Sequence, residues 1–255
     1  MAGILDQFSL AGKKAIVTGG ARGLGNGIAQ GLHEAGAEVM LIDVLPQVKE
    51  AAYKMNNSTV AAFALEADLF GKKNVVNAFT KAMEQLGGID ILVTAAGVQH
   101  RQEAVTFDET QWEKVLDINL SSVFYLCQCA GEYMMKKRNG RIINVASMLS
   151  FFGGVLIPAY AASKGGIAQI TKALSNEWAG YGVCVNAIAP GYMETDLTAT
   201  LREYPEQIED IIKRIPAGRW GTREDVKGIC VFLASEASKY ITGSVIAVDG
   251  GYKSR

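Results

Sequence analysis

In the first hundred residues, short apolar runs alternate with stretches whose apolar positions recur every three or four residues. Lys14-Ala-Ile-Val-Thr18 and Glu38-Val-Met-Leu-Ile-Asp43 are too short for helices and lack in–out alternation, the pattern of strands buried on both faces of a parallel sheet. Val60–Ala67 and the run from Ile89 to Thr94 repeat that pattern. Helical periodicity separates them: Ile28, Leu32 and Ala35 with Ala29 alongside, a looser stretch from Gln47 to about Met55, and an amphipathic segment from Lys72 to Leu86. Farther on, Glu109–Lys137 reads as one long helix with Trp112, Val115, Leu116, Leu120, Phe124 and Leu126 on or near its buried side. A fifth strand runs from Arg141 to Ser147, and a helix carrying Tyr160 and Lys164 continues through Trp178. Gly182–Ala189 is the sixth strand, Glu206–Arg214 a helical patch, Glu224–Ala234 the last helix, and Ser244 opens the seventh strand. Strands alternating with helices predict an α/β domain with a doubly wound, parallel, seven-stranded sheet and helices on both faces. No repeat, low-complexity tract or linker divides the chain, so residues 1–255 read as one domain. The stretch at about 191–221 is long for a connection and is expected to act as a lid over a substrate.

Composition narrows the partners. Of 255 residues 49% are hydrophobic and the formal net charge is -1, with no basic run, so no nucleic-acid surface is expected. Met1–Lys14 lacks a basic segment followed by an apolar core, and no apolar run approaches the ~20 residues that span a bilayer. A cytoplasmic protein is expected. Cys127, Cys129, Cys184 and Cys230 lie scattered in apolar segments and read as reduced core residues. With only His33 and His100, a multi-histidine metal site is excluded, and no metal is expected.

The chemistry begins after the first strand. Gly19-Gly20-Ala21-Arg22-Gly23-Leu24-Gly25 joins a strand to a helix, the context in which glycines let the backbone approach a pyrophosphate and free N–H groups bind its charge. Asp43 ends the second strand 18 residues after Gly25, where a carboxylate accepts the ribose hydroxyls of an adenosine and repels a 2′-phosphate. Arg22 pulls the other way, toward a phosphate; with more weight on Asp43, NAD is expected over NADP. Asp68-Leu69 closes the third strand, and Asp68 reads either as a partner for the adenine amine or as a cap for the next helix. Tyr160 and Lys164 are spaced to lie on one helical face, where an ammonium favours the phenolate and lowers the tyrosine pKa. Ser147 puts a hydroxyl at a strand end, where α/β sheets bind ligands. Asn119, mid-helix, reads by itself as a solvated amide.

Together these segments resemble the short-chain dehydrogenase/reductase family over essentially the whole chain. Thr18-Gly19-x-x-x-Gly23-x-Gly25 is similar to its cofactor loop, and Asn119, Ser147, Tyr160 and Lys164 to its catalytic tetrad. Pro190-Gly191 with Thr195 resembles the cofactor-contacting turn after strand six, and Asp249-Gly250-Gly251 the usual ending. The resemblance implies a Rossmann-type fold and a nicotinamide cofactor. Contacts are expected from Gly19, Arg22, Gly23, Leu24, Gly25, Asp43, Asp68, Leu69, Ala95, Gly97, Tyr160, Lys164, Pro190, Gly191, Met193 and Thr195. It implies Tyr160 as acid/base, Lys164 lowering its pKa and holding the nicotinamide ribose, Ser147 on the substrate oxygen, and Asn119 anchoring a water that leads to solvent. A homotetramer built through the long helices is also implied. The chain departs from the family after strand four, where Thr94-Ala95-Ala96-Gly97 replaces the usual Asn-Asn-Ala-Gly and the bracing amide is missing.

Longer phrases resemble the sugar-acid dehydrogenases of that family: Ile143-Asn144 through Phe151, Asn186 through Met193, and Ile215 through Gly221. The expected reaction is hydride transfer between the nicotinamide and a secondary alcohol or ketone of a small sugar acid. Ser147, Tyr160, Arg101 and His100 are expected at the substrate, with Arg101 on its carboxylate. Arg219 and Trp220 read as packing or subunit-contact residues. Two alternatives stand beside this reading: a broad-specificity alcohol or 3-oxoacyl reductase of the same family, and a nucleotide-binding protein without turnover.

Overall fold

Each central strand sends alternate side chains into two separate cores. Ile16, Met40, Leu92 and Ile142 face one; Val17, Leu41, Val93 and Ile143 face the other, all of them 0–1% exposed. In the computed structural model, which describes residues 3–56, 59–196, 198 and 205–254, these strands form one sheet. The strands are β1 (Lys14–Thr18), β2 (Glu38–Asp43), β3 (Ala62–Glu66), β4 (Ile91–Thr94), β5 (Gly140–Val145), β6 (Val183–Pro190) and β7 (Val245–Val248). All pair in parallel, in the order β3-β2-β1-β4-β5-β6-β7. The expected doubly wound sheet is therefore present, and the strand order reverses between β1 and β4.

Helices α1 (Gly23–Glu34), α2 (Val48–Met55) and α8 (Lys227–Ala234) cover one face, contributing Ile28, Leu32, Val48, Cys230 and Leu233. On the other lie α3 (Lys72–Leu86), α5 (Ser122–Lys137) and α6 (Pro158–Trp178), with Val75, Phe79, Leu126, Met134 and Ile167. Fully buried side chains such as Leu126 each contribute roughly 1.5–3 kcal/mol. All four cysteines are free; three are buried, and Cys129 is half-buried. No helix among the described residues is long and apolar enough to cross a membrane.

The long helix differs from expectation. It consists of α4 (Glu109–Leu116), a π-helical turn over Asp117–Ser121, and α5. The wider turn carries Asn119, which is fully buried instead of solvated. Its Oδ1 accepts from the Val98 N–H at 2.8 Å, and its Nδ2 donates to the Val98 carbonyl at 2.9 Å and the Ser163 hydroxyl at 3.3 Å. A buried amide needs partners, and the π turn supplies them by bringing this one onto the backbone leaving β4.

Two threonines replace the missing strand-four amide. The Thr18 hydroxyl accepts from the N–H groups of Ala95 and Ala96, both at 3.2 Å. Thr94 donates to Asn144 Oδ1 at 2.8 Å, its register partner on β5, and the Asn144 amide donates to Thr171 at 3.0 Å. The brace therefore runs through β5 into α6, the helix that carries Tyr160 and Lys164.

Residues 191–221 leave β6 and return to the same point. Met193 and Gly221 form a parallel bridge, with Glu194 N–H donating to Gly221 at 2.8 Å and Gly221 N–H to Tyr192 at 2.9 Å. Between them runs α7 (Pro205–Lys213); Leu197 and residues 199–204 of the expected lid lie outside the described residues. Glu224, expected in the last helix, instead sits in a 3-10 turn (Arg223–Val226) ahead of α8.

Candidate active site

At the carboxyl edge of the sheet, over the β1/β4 reversal, lies a cavity of about 840 Å³. Open α/β sheets bind ligands at this position because adjacent connections depart to opposite faces and leave a crevice. Every residue assigned above to the cofactor lines this cavity, as do Ser147 and Arg101.

One end suits a dinucleotide. Gly19 has φ +69°, a left-handed backbone that strains any other residue, and a Cβ there would lie 2.8 Å from the Ala96 nitrogen. A Cβ on Gly25, in the first turn of α1, would overlap the Gly19 carbonyl. Closing the loop this tightly onto the helix start leaves α1's first N–H groups facing the cavity, a site for a pyrophosphate. At the end of β2, Asp43 is anchored on both oxygens: Oδ2 accepts from Ala21 N–H and Oδ1 from Leu45 N–H, each at 3.0 Å. Arg22 pairs with Asp196 across the cavity mouth at 3.0 Å, both side chains well exposed. Asp68 accepts from Phe70 N–H at 2.9 Å and does not cap α3, whose N-cap is Gly71.

The reacting groups cluster at the other end. Ser147 stands just past β5; its hydroxyl accepts from Leu149 N–H at 3.2 Å, while its own N–H donates to Ser150 Oγ at 3.3 Å. Ser150 in turn donates to the Lys164 carbonyl at 2.6 Å, tying the Ser147 turn to α6. The Ser147 hydroxyl acts on the Tyr160 phenol and favours its charged form. Lys164 is buried; its Nζ donates to the Val145 carbonyl at 2.6 Å and lies 5.6 Å from the Tyr160 ring centre.

The electrostatics differ from expectation. Burial pushes the Tyr160 phenol up, and the neighbouring Ser147 hydroxyl only partly offsets that rise. Burial also lowers Lys164 to about 8. A low-dielectric site penalises both charged forms at once, so in this state the phenol is not the acidified group that the Tyr/Lys spacing predicts.

Two expected site residues lie elsewhere. His100 does not line the cavity: its Nε2 pairs with Gln102 Oε1 at 2.9 Å, and its ring packs edge-on against Phe107 with centres 5.5 Å apart. Asn119 reaches the site only through the backbone it holds. Arg219 forms a two-pronged pair with Asp225 at 2.7 and 2.8 Å, and Trp220 is buried beside Tyr192, consistent with packing roles within the chain. Sequence reasoning gave no site role to Tyr192, Arg214 or Tyr252, all of which line the cavity. Tyr252 directly follows Asp249-Gly250-Gly251, the one local hint; Arg214 carried no such signal.

The fold and site together define a nicotinamide-dependent oxidoreductase, and the chain belongs to the short-chain dehydrogenase/reductase family, acting on the alcohol groups of sugar acids. The matching family model, described as "Enoyl-(Acyl carrier protein) reductase", spans residues 19–253. At finer grain, the chain is 46% identical over 250 residues to the 2-dehydro-3-deoxy-D-gluconate 5-dehydrogenase of Bacillus subtilis, covering 98% of each chain. A putative NAD(P)-dependent gluconate 5-dehydrogenase from Beutenbergia cavernae, solved with bound NADP at low occupancy, superposes with TM-score 0.94 at 43% identity, covering 98% of this chain and 100% of that one. The gluconate 5-dehydrogenase of Burkholderia cenocepacia, in complex with NADP and tartrate, gives 0.95 at 36% identity, with 99% and 100% covered.

Proposed function

We propose that this chain is an NAD-dependent dehydrogenase of an open-chain sugar acid, interconverting a secondary alcohol and a ketone. The substrate reading is of the 2-dehydro-3-deoxy-D-gluconate 5-dehydrogenase, 2-deoxy-D-gluconate 3-dehydrogenase or gluconate 5-dehydrogenase kind. The observation that carries it is the grouping of Ser147, Tyr160 and buried Lys164 on one cavity that Arg101 also lines. The similarity to sugar-acid dehydrogenases over nearly the full length supports it.

The nicotinamide, when bound, supplies or accepts the hydride. Tyr160 exchanges the proton with the substrate oxygen, and Ser147 donates a hydrogen bond to that oxygen as charge develops on it. Lys164 has three N–H donors and uses one on Val145, leaving two for the nicotinamide ribose and for stabilising a phenolate. Asn119 keeps the backbone leaving β4 in place by holding Val98. The sugar-acid carboxylate pairs with Arg101. Arg101→Ala is expected to raise KM for an aldonate about 10-fold or more, with little effect on a neutral polyol. An unchanged preference for the acid would remove Arg101 from this role.

NAD is the proposed cofactor. Asp43 is pinned by two backbone N–H groups and cannot swing away from a 2′-phosphate, while the charge on Arg22 is already met by Asp196. A specific observation favours a second reading, NADP: both solved neighbours described above hold NADP. Initial rates with the two cofactors separate the readings. With Asp43→Ser, the NADP/NAD ratio of kcat/KM is expected to rise at least about tenfold, because a like charge is removed. A ratio that stays put places the ribose elsewhere.

A further inference from the structure

Three arginines line the cavity, and only one has its charge met. Arg22 pairs with Asp196; among the described residues, neither Arg101 nor Arg214 has a carboxylate in ion-pair range. Arg101 lies beyond β4, and Arg214 directly follows α7. Two phenols, Tyr192 and Tyr252, line the same cavity. The guanidinium of Arg214 lies 5.0 Å over the Tyr252 ring, and the Tyr252 and Tyr192 rings meet edge to face at 5.3 Å. A guanidinium over an aromatic face is held by cation–π attraction and keeps its N–H donors for a ligand.

We propose that Arg214, set over the Tyr252 ring, is a second substrate-binding cation, and that with Arg101 it grips the carboxylate end of the substrate. This rests on the sugar-acid reading and deepens it: the site selects an acid through two guanidinium groups, one of them on the excursion between β6 and α8. The surroundings of Tyr192 agree. Burial, and after it the neighbouring Tyr252, raise its pKa, and the charges of Arg214 and Arg101 act against that rise. Two cations brought together without a counter-charge repel each other, and a bound carboxylate relieves that repulsion. Two planar forks converging on one carboxylate also discriminate against a neutral end group, which leaves both unmet.

Calorimetric titration of the full chain, saturated with NADH, against D-gluconate and against neutral D-glucitol tests this without turnover. Arg214→Gln is expected to weaken gluconate binding about 10- to 100-fold and glucitol binding less than about twofold, the loss set by one charge-assisted pair. Arg214→Lys is expected to recover part of the loss, keeping the charge without the fork. Lys213→Gln, which removes an exposed charge one residue away, is expected to leave gluconate affinity within about twofold, showing that proximity and not net charge matters. If wild type binds gluconate and Arg214→Gln binds it equally well, or if glucitol affinity falls in parallel, Arg214 has no role at the carboxylate and the sugar-acid reading survives. If wild type does not bind gluconate, the substrate reading falls and takes this inference with it.

Discussion

Tyr160→Phe is expected to lower kcat by at least about 100-fold, the lower end of what a positioned acid/base supplies, while the chain still folds and still binds cofactor. The fold is spared because the substitution removes a single oxygen from a residue that lines the cavity and keeps its ring. The ring stays beside Lys164, which remains tied to the Val145 carbonyl. Lys164 is not expected to replace the phenol, because its ammonium is held on the Val145 carbonyl. Among the described residues of this cavity, the other phenols, Tyr192 and Tyr252, belong to the arginine cluster, and His100 is turned into its own loop. Steady-state rates at several pH values, with circular dichroism and NADH titration as folding controls, check it. Turnover near the wild-type level would take Tyr160 out of the chemistry.

Gly25→Ala is expected to weaken NADH binding on the order of 100-fold and to cost about 1–3 kcal/mol of stability. The added carbon would fall on the Gly19 carbonyl, a backbone atom that no rotamer change can move aside. To make room, the loop must shift relative to the start of α1, displacing the N–H groups that would hold a pyrophosphate. Gly165→Ala makes the control. It lies inside α6, where a Cβ would meet nothing within 4 Å, and helix propensity predicts a gain of roughly 0.5–1 kcal/mol with cofactor binding unchanged. Fluorescence titration with NADH and thermal unfolding read both quantities. Wild-type affinity in Gly25→Ala would move the dinucleotide away from this loop.

Strand positions were legible because a strand buried on both faces is apolar throughout, a property of five or six consecutive residues. β1 and β2 match their expected bounds, and α3 does as well. The glycine loop and the Tyr160/Lys164 spacing were legible for the same reason: each is a local pattern whose geometry follows once the element is known. The π turn at Asn119 was not. It widens a helix to satisfy a backbone segment that lies 21 residues earlier in the chain, and a periodicity count over the helix cannot register that demand. The Thr94 substitution was visible, but its remedy was not, because Thr94 meets Asn144 only when β4 and β5 are neighbours in register.

The sequence by itself determined the order of the elements, the parallel sheet, the phosphate-type loop and which residue types stand at strand ends, because each depends on contacts within a turn or two of chain. The tertiary structure alone decided that β1 and β4 lie side by side, that burial shifts both the Tyr160 and Lys164 protonation equilibria, that His100 leaves the cavity, and that Arg214 and Arg101 line the same one. The physical reason is range. Hydrogen bonding and periodic burial act between near neighbours and leave a trace in composition, whereas dielectric, cavity shape and the meeting of charges arise only when distant segments pack together.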